Sequence, residues 1–180
     1  ALAQGYRQVF GVEPSQSAIE QAAPTVKAAI RNDIMRPGLL AEKVSAICMF
    51  QLFDHIPNPG EFLAACAEAL QPGGLVLCFN HNVTALSARL LGEKSPIVDI
   101  EHTFLYSPAT IRKLFEKSGY RVLEAGPAWN FVSLLSVLRL LPLPRALKLK
   151  LLTWLENRPA LGQLRFFLPL GNLYLIAQKV

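Results

Sequence analysis

The sequence of 180 residues predicts a single α/β domain, with a mostly parallel β-sheet covered by helices on both faces. Two observations support this fold class. Strand-like and helix-like segments alternate along the first two thirds of the chain and are joined by short connections. Apolar residues make up 52% of the sequence, which is enough to form a buried core and excludes a disordered chain.

The first part of the pattern contains three predicted strands and one helix. Residues 8–13 (QVFGVE) form a short β-rich run, and Ser15 can cap a helix over 17–23 that Pro24 stops. Residues 25–30 are predicted as a second strand. Residues 44–50 (VSAICMF) are a continuous apolar run, which indicates a parallel strand buried on both faces.

The second part begins with a predicted helix over 61–70, which Pro72-Gly73-Gly74 ends. A strand over 75–80 (LVLCFN) follows. Ser107 and Pro108 then open another helix, and Gly119 closes it. Two further strands are predicted. They span residues 120–124 and 173–178.

Polar residues that directly follow the predicted strands are the candidate site residues, because ligands of such sheets bind beyond the carboxyl ends of the strands. These positions are Glu13, Asn32, Asp33, Gln51, and Asn80-His81-Asn82. A carboxylate at Glu13 could accept hydrogen bonds from both hydroxyls of a ribose, or it could be an ordinary surface acid. Asn32-Asp33 would suit the amino edge of an adenine, or could be a polar turn.

Residues 128–171 interrupt the alternation and are predicted to be a helical insertion within the domain. Two or three helices are expected, over 129–141, 145–157 and 160–168, separated by prolines. A bare connection at this place in an α/β fold would need only a few residues. We interpret the insertion as a lid.

The basic residues are concentrated in the same part of the chain. Residues 127–180 hold seven Lys and Arg and one acid, whereas residues 1–126 hold 11 Lys and Arg and 12 acids. The cations could simply be solvated on the lid, or they could lie against an anionic membrane or a lipid-linked acceptor. Nucleic acid is not expected, because the cations alternate with leucine and not with stacking aromatic residues or glycine.

The cysteines and the hydropathy indicate the compartment. Cys48, Cys66 and Cys78 lie in apolar runs without a CxxC spacing and are predicted to be buried free thiols in a reducing environment. No uncharged apolar run reaches the roughly 18 residues that span a bilayer. With no signal peptide at its start, the chain is expected to be cytoplasmic, or peripheral at the membrane if the insertion contacts lipid.

Several segments together resemble the class I S-adenosylmethionine-dependent methyltransferases, which have a Rossmann-like fold. They are GVEPS after the first strand, ICMFQLFDHIPNPGEFLAACAEALQPGGLVLCFNHN, and EHTFLYSPATIRKLFEKSGYRVLE. The likeness is greatest to bacterial enzymes of the small-molecule and sugar-cluster type. It covers roughly residues 5–127 and the final strand, and its most specific part is the order of strand, His-Ile-x-x-Pro turn, helix, PGG and strand.

The resemblance implies a cofactor site for S-adenosylmethionine. Glu13 matches the family's ribose-binding acid, and Asn32, Asp33 and Ile34 match the loop along the adenine. Phe50 and Gln51 match the loop beside the methionine part of the cofactor. The family's glycine-rich first motif does not occur in these 180 residues, and its place would be upstream of Ala1. We therefore interpret the chain as N-terminally truncated, and expect an incomplete parallel sheet to expose an edge and to promote self-association.

Methyl transfer to a hydroxyl requires removal of a proton, and histidine is the natural base near neutral pH. His55, His81 and His102 are the three histidines, and we take them as the candidate catalytic residues. His55 could instead be a structural residue that packs beside Pro57. No metal site is expected.

The predicted function is methyl transfer from S-adenosylmethionine to a small-molecule, sugar or lipid-linked acceptor. The alternative is a non-catalytic methyltransferase-like domain that binds a ligand or partner. A dinucleotide-dependent oxidoreductase is disfavoured, because it would need its own glycine fingerprint.

Overall fold

The computed structural model of the chain describes residues 8–95, 97–141 and 143–180. The strands are β1 (Gly11–Val12), β2 (Ile30–Arg31), β3 (Val44–Phe50), β4 (Leu70–His81), β5 (Tyr120–Ser133) and β6 (Arg165–Lys179). The helices are α1 (Gln16–Gln21), α2 (Pro24–Lys27), α3 (Pro59–Ala69), α4 (Leu86–Leu91), α5 (Pro108–Lys117), α6 (Leu134–Leu140), α7 (Arg145–Glu156) and α8 (Pro159–Gly162). Two short 3₁₀ turns, Phe53–His55 and Gly92–Lys94, complete the described elements.

The main sheet has four strands in the order β3-β4-β6-β5. β3 and β4 are parallel, and β6 is antiparallel to both β4 and β5. Three of the four strands therefore run in one direction, and only β6 is reversed. The carboxyl ends of β3 and β4 meet at one edge of this sheet. The prediction of a Rossmann-like, mostly parallel α/β fold is confirmed.

A separate parallel pair is formed by β1 and β2. β1 covers only Gly11–Val12 of the predicted strand 8–13. Residues 25–30 were wrongly predicted as a strand. Pro24–Lys27 is helix α2, and only Ile30–Arg31 pairs with β1. The alanines of this segment favour helix, and Pro24 sits at the first helical turn, where its missing N–H costs no hydrogen bond.

The core lies on one face of the main sheet. Alternate side chains of β4 and β6 are fully buried there, among them Val76, Cys78, Leu173 and Leu175. Helices α3 and α5 cover this face with Leu63, Ile111 and Phe115. Phe53 joins the same cluster, with its ring centroid 5.4 Å from those of Tyr106 and Phe115. This packing fixes the turn that follows β3, which leads into the candidate site.

The other face of β3 is open, contrary to the prediction that both faces are buried. Met49 is 2% exposed, but Phe50 is 63% exposed, and Ala46 is exposed as well. Cys48 lies on the open face, so only Cys66 and Cys78 are the buried thiols that the sequence predicted. β3 also forms the outer edge of the four-stranded sheet.

The predicted helical insertion contains more strand than expected. Residues 129–133 and 165–168 were predicted as parts of helices, but they extend β5 and β6 as an antiparallel pair, with Phe131 opposite Phe167. Aromatic and β-branched residues pair well across strands, and this pairing overrides the helical pattern. In the sequence, helices α6 to α8 connect β5 to β6. None of the helices in the described ranges is long and apolar enough to cross a membrane.

Candidate active site

The carboxyl edge of β3 and β4 carries a cluster of three histidines around one aspartate. His81 is the last residue of β4, and Asp54 lies in the turn that follows β3. His55 adjoins Asp54 in the sequence, whereas His102 comes from the loop before α5. The strand order and this loop bring together all three histidines that the sequence predicted as catalytic.

Asp54 is the centre of the cluster. Its side chain is 1% exposed, and its Oδ2 is 2.5 Å from Nδ1 of His81. Nε2 of His102 lies 3.8 Å from the same oxygen, and Nε2 of His55 lies 3.7 Å from Oδ1. The His102 ring centroid is 4.7 Å from that of His81 and 4.8 Å from that of His55. His81 keeps 25% of its side chain exposed, so it can meet a ligand from solvent.

The hydrogen-bond partners assign a proton to one nitrogen of each ring. Nδ1 of His102 lies 2.7 Å from the carbonyl oxygen of Ile97, and Nδ1 of His55 lies 3.0 Å from that of Glu101. A carbonyl oxygen only accepts, so each Nδ1 donates. Nδ1 of His81 likewise donates to the carboxylate of Asp54. In the neutral ring, Nε2 of His81 then carries the lone pair that can accept a proton.

The environment of Asp54 has opposing effects on its pKa. Burial raises the pKa of Asp54, because it disfavours the charged form. The hydrogen bond from His81 and the charges of His81 and His102 lower the pKa, and together they outweigh the effect of burial. The net effect is a pKa below the ordinary value for Asp. The carboxylate therefore stays ionised at neutral pH and can orient His81.

Polar atoms without a partner surround the cluster. Oδ1 of Asp54, Nδ2 of Asn80 and the hydroxyl of Tyr106 are buried and make no hydrogen bond within the described part of the chain. Burial raises the pKa of Tyr106 to about 12, with smaller contributions from Cys78 and Asp54, so its hydroxyl remains a donor. Buried polar groups are nearly always paired in proteins, so a concentration of unpaired ones is typical of a ligand site.

Asp54 is the residue that the sequence analysis missed. The available signal was its position, because only two residues separate FDH from the end of β3, and a carboxylate there lies at the ligand edge. The backbone carbonyl of Asp54 also accepts hydrogen bonds from the N–H groups of Thr103 and Phe104. These two bonds hold the loop that carries His102 in place. A contact between positions so far apart in the sequence leaves no local pattern.

The neighbours of His81 have structural roles. Asn80 is fully buried, and its Oδ1 accepts a hydrogen bond from the backbone N–H of Phe53 at 3.2 Å. Asn82 accepts hydrogen bonds from the N–H and hydroxyl of Thr84 at 3.0 and 2.7 Å. Both asparagines therefore shape the backbone at this edge, and His81 is the member of the Asn-His-Asn run that joins the cluster.

The predicted ribose-binding and adenine-loop residues lie at the ends of β1 and β2. Glu13 follows β1, is partly exposed, and accepts a hydrogen bond from the N–H of Ser15 at 2.9 Å. The side-chain amide of Asn32 donates to the carbonyl oxygens of Glu13 and Pro14, both at 3.0 Å. Asn32 thus ties the two strand ends together, which is a positioning contact.

Asp33 and Ile34 form the rest of this loop. The backbone N–H of Ile34 and the guanidinium of Arg36 hold the pKa of Asp33 below its usual value. Ile34 is 63% exposed and borders an open, apolar groove of about 230 Å³. Ile56, Phe62 and Ala65 line the same groove.

Phe50 and Gln51 end β3 beside the histidine cluster. Gln51 has a φ of 50°, and it is the one residue other than glycine with a positive φ among those described. Its N–H donates to the carbonyl of Phe79 at 2.8 Å, and its side chain donates to Asn172 at 3.1 Å. Such backbone strain costs of the order of 1–3 kcal/mol and is concentrated at functional sites. Phe50 presents an exposed ring at the same strand end.

The cluster also has the composition of a metal site. In the described ranges, Asp54, His81 and His102 offer ligand atoms that all lie within 4.8 Å of one another. However, the 2.5 Å between Asp54 and His81 is a direct hydrogen bond. An ion would have to separate this pair, since two ligands that are each about 2.1 Å from a tetrahedral ion lie about 3.4 Å apart. The absence of a metal stays a prediction.

Two solved structures illustrate the likeness of the fold. A SAM-dependent methyltransferase from Archaeoglobus fulgidus superposes with a TM-score of 0.57 at 15% identity, over 94% of this chain and 75% of that one. Magnesium protoporphyrin IX methyltransferase from Synechocystis, solved with bound SAH, gives a TM-score of 0.59 at 13% identity, over 99% and 67% of the two chains. At these identities the similarity shows the fold.

Similarity of sequence is more local. Ubiquinone biosynthesis O-methyltransferase of Shewanella halifaxensis is 31% identical over 78 residues, which are 39% of this chain and 33% of that protein. A second curated relative, from Mycolicibacterium smegmatis, is 26% identical over 122 residues, or 64% of this chain and 44% of that protein. The chain thus spans less than half the length of the curated relatives that it matches. The model of a methyltransferase domain family matches residues 1–125, so the chain belongs to that family, and its assignment to the class I S-adenosylmethionine-dependent methyltransferases is confirmed.

Proposed function

We propose that this chain is part of an enzyme that transfers the methyl group of S-adenosylmethionine to a hydroxyl group of a small-molecule acceptor. The observation that carries the proposal is the His81–Asp54 pair at the carboxyl edge of the sheet, hydrogen-bonded at 2.5 Å. A buried carboxylate that orients an imidazole is a general-base arrangement.

The residues have distinct roles in this proposal. Nε2 of His81 removes the proton of the acceptor hydroxyl, and Asp54 holds the ring in the required tautomer and stabilises the imidazolium. The acceptor oxygen then forms a bond to the methyl carbon while the carbon–sulfur bond breaks, and the proton stays on His81. His102 and His55 are proposed to line the acceptor side.

The residues at the strand ends fit a bound nucleoside. Glu13 would hold the ribose hydroxyls, and Asn32, Asp33 and Ile34 would lie along the adenine. Phe50 and the strained Gln51 would flank the methionine part. The cofactor supplies the methyl group on an activated sulfonium, so the contribution of the protein is mainly to position the two reactants.

A hydroxyl acceptor is supported by two observations. One relative is named an O-methyltransferase, and the cluster contains a base that a hydroxyl acceptor requires. Within the small-molecule class, we propose a sugar or a lipid-linked acceptor, with the enzyme in the cytoplasm and in peripheral contact with the membrane through 128–171. We also propose self-association through the open edge of β3.

The alternative of a non-catalytic binding module predicts different behaviour. A module that only binds its ligand has no need of a base, and substitution of His81 would then alter binding alone. Methyl transfer therefore distinguishes the two functions.

The experiment measures transfer from S-adenosylmethionine with a labelled methyl group to a catechol and to a methyl glycoside. We expect His81→Gln to lower kcat by about 10²–10⁴-fold and to leave cofactor binding unchanged. Higher pH should partly restore its rate, because hydroxide can replace the base. Lys113→Gln, on the exposed side of α5, is the control. Equal rates for His81→Gln and the wild type would contradict the proposal.

A further inference from the structure

The extended ends of β5 and β6 form an arm that projects from the edge of the sheet carrying the histidines. β4 ends at His81, which pairs with Asn172 of β6. Because β6 runs antiparallel to β4, the residues before Asn172 lie beyond that edge. β5 accompanies them over Asn130–Ser133, paired with Arg165–Leu168. At about 3.3 Å per residue, five residues of β5 after Ala128 extend roughly 16 Å beyond the sheet.

One face of this arm is aromatic and exposed. Phe131 of β5 lies opposite Phe167, and Trp129 sits at an irregularity of the strand pairing between Ala128 and Asn130. Both rings contact the ring of Phe167 and therefore share its face. The Phe167 ring centroid is 5.3 Å from that of Trp129 and 4.9 Å from that of Phe131. The three side chains are 52%, 71% and 53% exposed. We call Trp129, Phe131 and Phe167 the aromatic strip. Arg165 is exposed and, two residues before Phe167, shares its face.

The helices carried by the arm add cations and further exposed apolar groups. Residues 128–171 hold six Lys and Arg and one acid, Glu156, which pairs with Arg139 at 3.3 Å. On α7, Leu149 and Trp154 are exposed, and the guanidinium of Arg158 lies 4.3 Å from the centroid of the Trp154 ring. Aromatic rings and basic side chains together are typical of surfaces that lie in the headgroup region of a bilayer.

We propose that the aromatic strip, Arg165 and the cations of the helices that the arm carries dock on the surface of an anionic lipid bilayer. The rings enter the headgroup region, and the cations interact with the anionic lipids. Charge disfavours a second copy of the chain as the occupant, because that contact would bring two basic segments together. Docking turns the edge with His81 towards the lipid, where an apolar or lipid-linked acceptor would be found.

This inference deepens the peripheral membrane contact proposed above for 128–171. It can be tested apart from methyl transfer, because docking needs neither cofactor nor acceptor. The test is flotation of the 180-residue chain with vesicles of phosphatidylcholine alone, or of phosphatidylcholine mixed with phosphatidylglycerol. We expect binding to the mixed vesicles only, and loss of binding at high salt. Each Lys or Arg near an anionic bilayer contributes about fivefold to binding.

Two sets of variants locate the surface. Trp129→Ser/Phe131→Ser/Phe167→Ser should abolish flotation. Leu123→Ser/Val180→Ser, which removes exposed apolar groups at the opposite end of the sheet, should not. Arg145→Gln/Lys150→Gln should weaken binding about 25-fold, and Lys113→Gln/Lys117→Gln should have little effect. Circular dichroism and light scattering of each variant report folding and association.

Three results would overturn the proposal. They are failure of the wild type to float, equal binding to both kinds of vesicle, and unchanged binding by the folded triple variant. A triple variant that loses self-association while vesicle binding persists would assign the aromatic strip to a contact between copies instead.

Discussion

At the scale of residues, one buried carboxylate organises the candidate site. Asp54 lies in the turn after β3 and connects this turn to two other elements. Its carboxylate binds His81 at the end of β4, and its backbone carbonyl accepts hydrogen bonds from the loop before α5. The three histidines were predictable from the sequence, because histidine is the natural base near neutral pH and His81 directly follows a predicted strand. Their common partner Asp54 was not predicted, because its contacts with His81 and His102 join positions 27 and more residues apart.

Asp54 should also make stability depend on pH. Its pKa is lowered in the folded protein, so its contribution is present above the unfolded pKa of about 3.9 and is lost as pH falls through the lower, folded value. We expect Asp54→Asn to cost about 1–3 kcal/mol at neutral pH, and the difference from wild type to shrink below about pH 4. Urea unfolding of both proteins over a range of pH measures this difference in the free energy of unfolding. Asp99→Asn, which changes an exposed carboxylate, is the control. If the difference in stability between Asp54→Asn and the wild type stayed constant down to the lowest pH measured, the lowered pKa of Asp54 would be contradicted.

At the scale of elements, local sequence pattern predicted those parts of the fold that depend on local interactions. The helix over 61–70, the capped start of α5 at Ser107 and the strand over 75–80 all occur within one to five residues of their predicted bounds. The arm was missed because its strands pair across more than 30 residues of intervening chain. The apolar pattern of residues 129–133 suits either a helix or a strand, and only pairing with the distant residues 165–168 of β6 decides between the two.

The irregular first part of β4 has a testable requirement for glycine at Gly74. A Cβ on Gly74 would lie 2.9 Å from the carbonyl oxygen of Gln71 and 2.9 Å from Leu70 Cδ2. Gly60, inside α3, has open space around the same position. We expect Gly74→Ala to destabilise the fold by about 1–3 kcal/mol, and Gly60→Ala to stabilise it by about 0.5–1 kcal/mol. Chemical denaturation measures the stability of both variants, and effects of the same sign would contradict the packing around Gly74.

At the scale of the whole molecule, the histidine cluster and the arm share one end of the main sheet. The candidate cofactor residues follow β1, β2 and β3, and the histidine cluster lies after β3 and β4. The arm with the aromatic strip projects from the same edge. Reversal of β6 alone produces this arrangement, because it sends the connection between β5 and β6 beyond the edge where ligands bind. The proposed acceptor and the proposed lipid surface are therefore on one side of the molecule.

The most direct test of this account is equilibrium binding of S-adenosylmethionine to the chain, measured by titration calorimetry. The account predicts that the wild type binds and that Glu13→Ala weakens binding by about 1–3 kcal/mol, the cost of removing a charged hydrogen-bond partner. Glu20→Ala, which removes an exposed acid of α1, should bind as the wild type does. Absence of binding by the wild type, or equal binding by Glu13→Ala, would contradict the account.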